Sequence, residues 1–112
     1  MGVMVGTEIQ TLDSEEYETK SYPEMHWWYI RDSERHWVYT TRTHQFYDSE
    51  GFPKQAQDFE PGDIIVHKGG DFEVVESDVH LLVSSKTLIS MTKIHLYWAN
   101  GFLSRDVKLD SL

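Results

Sequence analysis

Residues 94–105, IHLYWANGFLSR, decide the fold of this chain. The dipeptide Asn100-Gly101 is its strongest turn signal, because a two-residue type I′ hairpin loop needs positive φ at both central positions, which these two residues tolerate. The turn also fixes which residues lie opposite one another. It predicts the pairs Trp98–Leu103, Leu96–Arg105 and Ile94–Val107 on one face, and a charge pair between His95 and Asp106 on the other.

Upstream, residues 60–83 predict a three-stranded meander. Glu60-Pro61-Gly62-Asp63 is a turn that leads into the apolar run from Ile64. Gly69-Gly70 suits a two-residue hairpin loop that pairs His67 with Phe72 and Ile65 with Val74. Ser77-Asp78 then acts as a second reversal. The resulting apolar face consists of Ile65, His67, Phe72, Val74, Leu81 and Val83.

An aromatic hairpin is predicted closer to the N-terminus. The runs 25–31 and 35–43 are rich in aromatic and β-branched residues and flank Asp32-Ser33-Glu34. A two- or four-residue loop pairs Ile30 with Trp37, which places Trp28, Ile30, Trp37 and Tyr39 on one face. Before this hairpin, the period-two pattern of Val3, Val5, Thr7 and Ile9 indicates an opening strand.

These signals predict an all-β fold with little helix, built from hairpins and meanders as a single small antiparallel barrel or sandwich of about seven to eight short strands. Residues 1–112 are expected to form a single β domain, because nothing in the chain reads as a linker. The one helix candidate is a short turn over Asp13–Lys20.

Composition narrows the classes of function. The chain has no cysteine, which excludes disulfides, zinc-thiolate sites and thiol catalysis. It has no signal peptide pattern and no apolar run long enough for a membrane helix, so we expect a soluble cytoplasmic protein with no membrane contact.

Charge is acidic overall and uneven along the chain. The formal net charge is −9, which repels nucleic acid and favours basic protein surfaces. Residues 1–19 contain five acids and no base, whereas residues 81–105 contain three bases and no acid. We therefore expect two surfaces of different charge.

No catalytic or cofactor motif is present. The six histidines do not occur at metal-ligand spacing, and the chain has no nucleophile elbow, phosphate loop or dinucleotide-binding glycine pattern. We expect no enzyme activity, no catalytic residue, no metal and no cofactor.

The function predicted from these patterns is that of a non-enzymatic acidic binding protein. It would act by protein–protein contact, as a viral or mobile-element inhibitor that occupies the basic surface of a nucleic-acid-handling host protein by imitating phosphates. Carboxylates would set the association rate, and aromatic side chains would anchor the partner. The predicted partner-binding residues are Asp58, Glu60, Asp63, Asp71, Glu73, Glu76, Asp78, Trp27, Tyr29 and Trp37.

Two alternatives stay open. The stretch from Pro61 to Val83 resembles phage head-to-tail joining subunits, which implies a structural connector or assembly subunit of a phage-like particle. The aromatic hairpin combines stacking platforms with arginines, as single-stranded nucleic-acid binding sheets do, although the net charge opposes direct contact with nucleic acid.

Overall fold

Two long antiparallel strands form the centre of the fold. A computed structural model describes residues 2–4, 6–12, 19–90 and 96–105, and the side chains of all of these except 19–26 and 81–90. Strand β3 spans Thr19–Asp32 and β8 spans Gly70–Ser90. They pair from Thr19 opposite Ser90 to Asp32 opposite Val74. Their length lets β8 pair with β3 along most of its course and with β7 at its start, so β8 joins the two halves of the sheet.

The remaining strands are short. They are β1 (Val3–Met4), β2 (Ile9–Thr11), β4 (Trp37–Thr41), β5 (Gln45–Tyr47), β6 (Pro53–Gln55), β7 (Ile64–His67), β9 (Leu96–Ala99) and β10 (Phe102–Arg105). A 3₁₀ turn covers Ala56–Asp58. The order of pairing is β1-β4-β3-β8-β7-β10-β5-β6, β9 joins β2 to β10, and β1 also pairs with β8.

The described residues therefore form an all-β fold, a curled antiparallel sheet that confirms the predicted class. They contain ten strands, more than the seven to eight expected, and no helix that is long and apolar enough to cross a membrane. The extent of the domain, 1–112, stays a prediction. The core is lined by Val3, Ile30, Val38, Phe46, Ala56, Phe59, Ile65, Val74, Tyr97, Ala99 and Phe102.

The Asn100-Gly101 hairpin is confirmed. Asn100 has φ 49° and Gly101 has φ 87°, and Trp98 lies opposite Leu103 and Leu96 opposite Arg105. The face turned to the core is the other one, which carries Tyr97, Ala99, Phe102 and Ser104, all buried. The predicted pairs Ile94–Val107 and His95–Asp106 lie outside the described residues.

The meander is only partly correct. The turn before β7 is confirmed by a hydrogen bond in which Asp63 N donates to Glu60 O at 2.9 Å. The hairpin loop is Lys68-Gly69, so Ile65 pairs with Phe72 and not with Val74. A shift of two positions leaves each side chain on the predicted face.

The reversal at Ser77-Asp78 is wrong, because β8 continues through both residues. Ser77 lies opposite Ile30 of β3, and its Oγ accepts a hydrogen bond of 2.9 Å from the Trp28 indole. This part of β8 therefore pairs with β3, and the chain does not reverse to form the predicted third strand of the meander. Leu81, predicted to lie opposite Val74, instead lies opposite His26 of β3.

The aromatic hairpin forms with a register one residue away from the prediction. Ile30 pairs with Val38 and Arg31 with Trp37, because the loop has three residues and its last one, Arg35, has φ 69°. A type I turn followed by a left-handed residue is a common three-residue hairpin loop. A one-residue shift moves the side chains of one strand to the opposite face relative to its partner. Trp28 and Ile30 therefore share a face with Val38 and Thr40, and not with Trp37 and Tyr39.

The predicted opening strand is broken in two. A turn in which Thr7 N donates to Met4 O at 3.1 Å separates β1 from β2. Val3 pairs with Thr40 and Leu88, whereas β2 pairs with β9. Val5 and most of the predicted turn over Asp13–Lys20 lie outside the described residues, and β3 begins at Thr19.

Replacement of Arg35 by glycine is expected to stabilise the fold. A left-handed conformation costs an L-residue about 1–2 kcal/mol, and part of this gain is offset by the greater chain entropy of glycine. We expect the free energy of unfolding to rise by up to about 1 kcal/mol, measured by urea denaturation. Glu34→Gly in the same loop is the matched control and should destabilise, because Glu34 does not have positive φ. Equal effects of the two substitutions would contradict the account.

Candidate active site

The turn between β4 and β5 buries a histidine. His44 N donates to Thr41 O at 3.3 Å, which closes the turn, and His44 O accepts from Ala56 N at 2.9 Å. The His44 side chain is fully buried, and Phe46 lies edge-on to its ring at 5.2 Å between centroids. Both main-chain polar groups of His44 are therefore hydrogen-bonded, and its ring is enclosed in the core.

Two hydroxyl groups contact the same ring nitrogen of His44. Ser104 Oγ on β10 forms a short hydrogen bond with His44 Nε2, and the Tyr97 hydroxyl on β9 lies 3.3 Å from that atom. Ser104 and Tyr97 are cross-strand partners in the Asn100-Gly101 hairpin, and both are buried. The hairpin therefore places both hydroxyls against the imidazole.

The other ring nitrogen, Nδ1, is buried and has no hydrogen-bond partner among the described residues. Buried polar groups are nearly always hydrogen-bonded, so an exception calls for a functional or structural reason. Burial is the main cause that lowers the pKa of His44 from 6.5 to about 3. The ring is therefore neutral at physiological pH, with one nitrogen left to contact a further group.

The backbone of Gly2 lies in the same buried region. Gly2 N donates to Thr41 Oγ1 at 3.0 Å, and Gly2 O accepts from Thr41 N and from Thr40 Oγ1, both at 2.8 Å. Three hydrogen bonds thus hold one peptide segment beside the turn that carries His44. We refer to these six buried residues as the His44 cluster: Gly2, Thr40, Thr41, His44, Tyr97 and Ser104.

The His44 cluster has the parts needed to act on a peptide bond. A neutral imidazole accepts or relays a proton, and a serine hydroxyl hydrogen-bonded to it is a candidate nucleophile. The segment bound at Gly2 supplies backbone amide and carbonyl groups from the chain itself.

Comparison with solved structures gives one consistent result. The gp41-1 intein superposes with a TM-score of 0.69 at 12% identity, over 94% of this chain and 98% of that one. The bacterial intein-like domain from Clostridium thermocellum gives 0.66 at 18% identity, over 88% and 80%. The VidaL intein gives 0.63 at 14% identity, over 80% of this chain.

The fold is that of an intein. At these identities the likeness shows the fold alone, and the chain spans 62% of the length of the VidaL intein. No protein-family model matches the sequence, and no curated protein matches it either.

The intein fold corrects the predicted function. The expected acidic inhibitor of a nucleic-acid-handling protein is wrong, as are the phage connector and the single-stranded nucleic-acid binding protein, because the solved structures that superpose on this chain here are inteins and an intein-like domain. The expectation that the chain is not an enzyme is wrong for the same reason, since inteins are protein-splicing domains.

The predicted contact acids are spread over several elements. Six are exposed, namely Asp58, Glu60, Asp71, Glu73, Glu76 and Asp78. Asp63 is half-buried and forms an ion pair of 2.8 Å with Lys54, which helps to lower its pKa. Glu76 is bound by Arg31 at 3.3 Å. Their role toward a basic partner stays a prediction.

The predicted aromatic anchors differ in exposure. Trp27 is fully buried and has no free surface, Tyr29 is half-buried, and Trp37 is 48% exposed. Of the three, Trp37 presents the most surface to solvent.

Sequence reasoning missed the His44 cluster because its members come from distant parts of the chain. Ser104 and His44 are 60 positions apart, and Thr41 and Gly2 are 39 apart, so no local spacing could reveal them. One usable signal was present. Ser104 occupies the same face of its hairpin as Phe102, and a serine at a core-facing position needs a polar partner.

Proposed function

We propose that this chain is an intein-type domain that acts on its own backbone, with the His44 cluster as its reactive centre. The observation that carries the proposal is a fully buried neutral imidazole whose Nε2 contacts a serine hydroxyl and whose Nδ1 has no partner in the described structure. The intein fold and the binding of the Gly2 segment support it. The bond acted upon is the peptide bond whose nitrogen belongs to Gly2.

Ser104 is the proposed nucleophile. The chain contains no cysteine, and Gly2 has no side chain to receive an acyl group. The hydroxyl of Thr40 donates to Gly2 O, and that of Thr41 accepts from Gly2 N, so both serve to hold the segment. Two buried hydroxyls of the cluster contact His44 Nε2: Ser104 Oγ, which is hydrogen-bonded to it, and the Tyr97 hydroxyl, which lies 3.3 Å away.

The proposed step transfers the upstream acyl group from nitrogen to oxygen. Ser104 Oγ forms a bond to the carbonyl carbon that precedes Gly2, and the bond from that carbon to Gly2 N breaks. The proton of Ser104 passes to His44 Nε2 while a proton on Nδ1 is given to Gly2 N. Because Nε2 gains a proton as Nδ1 loses one, the ring never carries a net charge, which suits a site where burial holds its pKa at about 3.

The test is a fusion with a reporter domain placed before residue 1. We expect slow release of the reporter, accelerated by hydroxylamine, because hydroxylamine cleaves esters and leaves amides intact. Mass spectrometry should find a hydroxamate at the carboxyl end of the reporter and an intact domain that begins at Gly2. A second reporter at the C-terminus reports whether the two flanking segments become joined.

Matched variants separate chemistry from folding. Ser104→Ala and His44→Gln should each lower the release rate by at least about 100-fold, the scale of general acid–base assistance. Ser49→Ala removes an exposed serine and should release the reporter at the parental rate. Release that persists in Ser104→Ala would exclude Ser104 as nucleophile, and a parental fusion inert to hydroxylamine would overturn the proposed activity.

We also propose, as a separate point, that the protein works in the cytoplasm. A chain without cysteine has no disulfide that the reducing environment there could break. Cell fractionation followed by immunoblotting tests this location.

A further inference from the structure

A second candidate site lies at the tips of three hairpins and contains no member of the His44 cluster. A cavity of about 510 Å³ is lined by Gly6, Glu8, Arg35, His36, Trp37, His67, Lys68, Asn100 and Gly101. Three lining pairs come from the β3–β4, β7–β8 and β9–β10 turns. A cavity of this volume is large enough for a small organic ligand.

Arg35 supplies a cation without a counter-ion. Within the described parts of the chain its guanidinium has no hydrogen-bond or ion-pair partner. By contrast, Arg31 on the same hairpin is bound to Glu76 at 3.3 Å. Arg35 also has the left-handed backbone conformation, with φ 69°. An unpaired planar guanidinium at the rim of a cavity is suited to two-point binding of an oxyanion.

His36 is fixed beside Arg35 by a buried carboxylate. Asp32 is fully buried, and its Oδ1 accepts hydrogen bonds from Glu34 N and His36 N, both at 2.9 Å. The Asp32 Oδ2 atom lies 2.8 Å from His36 Nδ1. The carboxylate thus holds the Nδ1 proton and leaves His36 Nε2 to contact a ligand.

His67 supports this arrangement and uses both of its own nitrogens. Its ring stacks on His36 with 3.8 Å between centroids. Its Nδ1 accepts from Gly69 N at 3.0 Å, so its Nε2 carries the proton and donates to Asn100 O at 3.2 Å. His67 therefore positions the His36 ring, while the ligand-facing chemistry belongs to His36 and Arg35.

The other charges at the cavity are already matched. Lys68 Nζ donates to Gln10 Oε1 at 2.8 Å and lies 3.8 Å from Glu8 Oε1. The unmatched charge is that of Arg35, in a protein whose net charge is −9. Trp37, which is 48% exposed, adds an aromatic surface to the same wall.

We infer that this cavity binds a small organic oxyanion, a carboxylate or a phosphate monoester, with its charged group on the Arg35 guanidinium and its apolar part beside Trp37. A carboxylate and a phosphate monoester each present two oxygen atoms that can accept a pair of hydrogen bonds from one guanidinium. A dissociation constant in roughly the millimolar range is expected for one charge-assisted contact at an open site.

The test titrates the full chain with phenyl phosphate, benzoate and inorganic phosphate, followed by two-dimensional NMR and by calorimetry. Phenyl phosphate and benzoate carry the same ring, so their affinities separate the two anion types. The difference in affinity between phenyl phosphate and inorganic phosphate measures the contribution of the phenyl ring of the ligand. We expect saturable shifts of the Arg35 Nε–H and His36 ring signals with at least one of the aromatic anions.

Two arginine variants make the inference decidable. Arg35→Gly removes the guanidinium and suits the backbone there, so it should fold and should bind the preferred anion at least about tenfold more weakly. Arg31→Gln removes a neighbouring arginine already engaged by Glu76 and should bind within about twofold of the parent. Equal affinity in Arg35→Gly and the parent, or no saturable shift with any probe, would overturn the proposed site.

Discussion

Alanine in place of Gly101 is expected to be among the most damaging single substitutions in this protein. A Cβ atom at position 101 would lie 2.1 Å from His67 Nε2 and 2.6 Å from Cε1 of the same ring. The ring cannot move aside easily, because hydrogen bonds hold both of its nitrogens and His36 stacks on it. The φ of 87° adds backbone strain. Together these effects should cost about 3 kcal/mol of the free energy of unfolding.

Gly51→Ala is the matched control for this loss. Gly51 has almost the same φ, 86°, and an added Cβ would have no atom within 4 Å. It should therefore show the backbone penalty alone, about 1 kcal/mol. Urea denaturation of the parent and both variants measures the two contributions. If Gly101→Ala loses no more stability than Gly51→Ala, the close contact with His67 does not exist in solution.

A fall in pH is expected to destabilise the protein through His44. Burial is the main cause that lowers the pKa of this side chain from 6.5 to about 3 in the folded state. Between these values the unfolded chain binds a proton that the folded protein does not, so stability falls as pH falls below 6.5. From pH 7 to pH 4 this single group should remove about 3 kcal/mol.

The measurement is the difference in unfolding free energy between the parent and His44→Gln at several pH values. Glutamine has no proton to gain, so the parent should lose about 3 kcal/mol more than the variant from pH 7 to pH 4. His67, whose pKa is also lowered, chiefly by burial, is present in both proteins and cancels in the difference. Parallel pH profiles would show that His44 is not buried as a neutral ring.

Local turn chemistry explains which parts of the fold were predictable. Asn100-Gly101 set the correct register because only a two-residue loop with positive φ satisfies that sequence. The hairpin at Asp32 was displaced by one residue because Arg35, an ordinary L-residue, takes the left-handed conformation. Ser77-Asp78 resembles a turn, yet it lies within β8, where long-range pairing with β3 outweighs local preference.

The candidate site was less predictable than the fold. His44 is one of six histidines in the chain, and although Thr40 and Thr41 of the cluster precede it closely, the sequence alone does not show that they bind Gly2. The contact with Ser104 and the binding of Gly2 to Thr40 and Thr41 single it out, and both arise from pairings between distant strands. Contacts of such sequence separation leave no periodic pattern that could be read locally.

The pairing of β3 with β8 also determines when the proposed reaction could begin. Thr19 must meet Ser90, and Gln45 must meet Arg105, before the sheet can close. Contacts between such distant residues form slowly, since loop closure must precede the gain in packing. During synthesis the His44 cluster therefore stays unassembled until Ser104 has left the ribosome. The proposed acyl transfer therefore cannot begin while the chain is still incomplete.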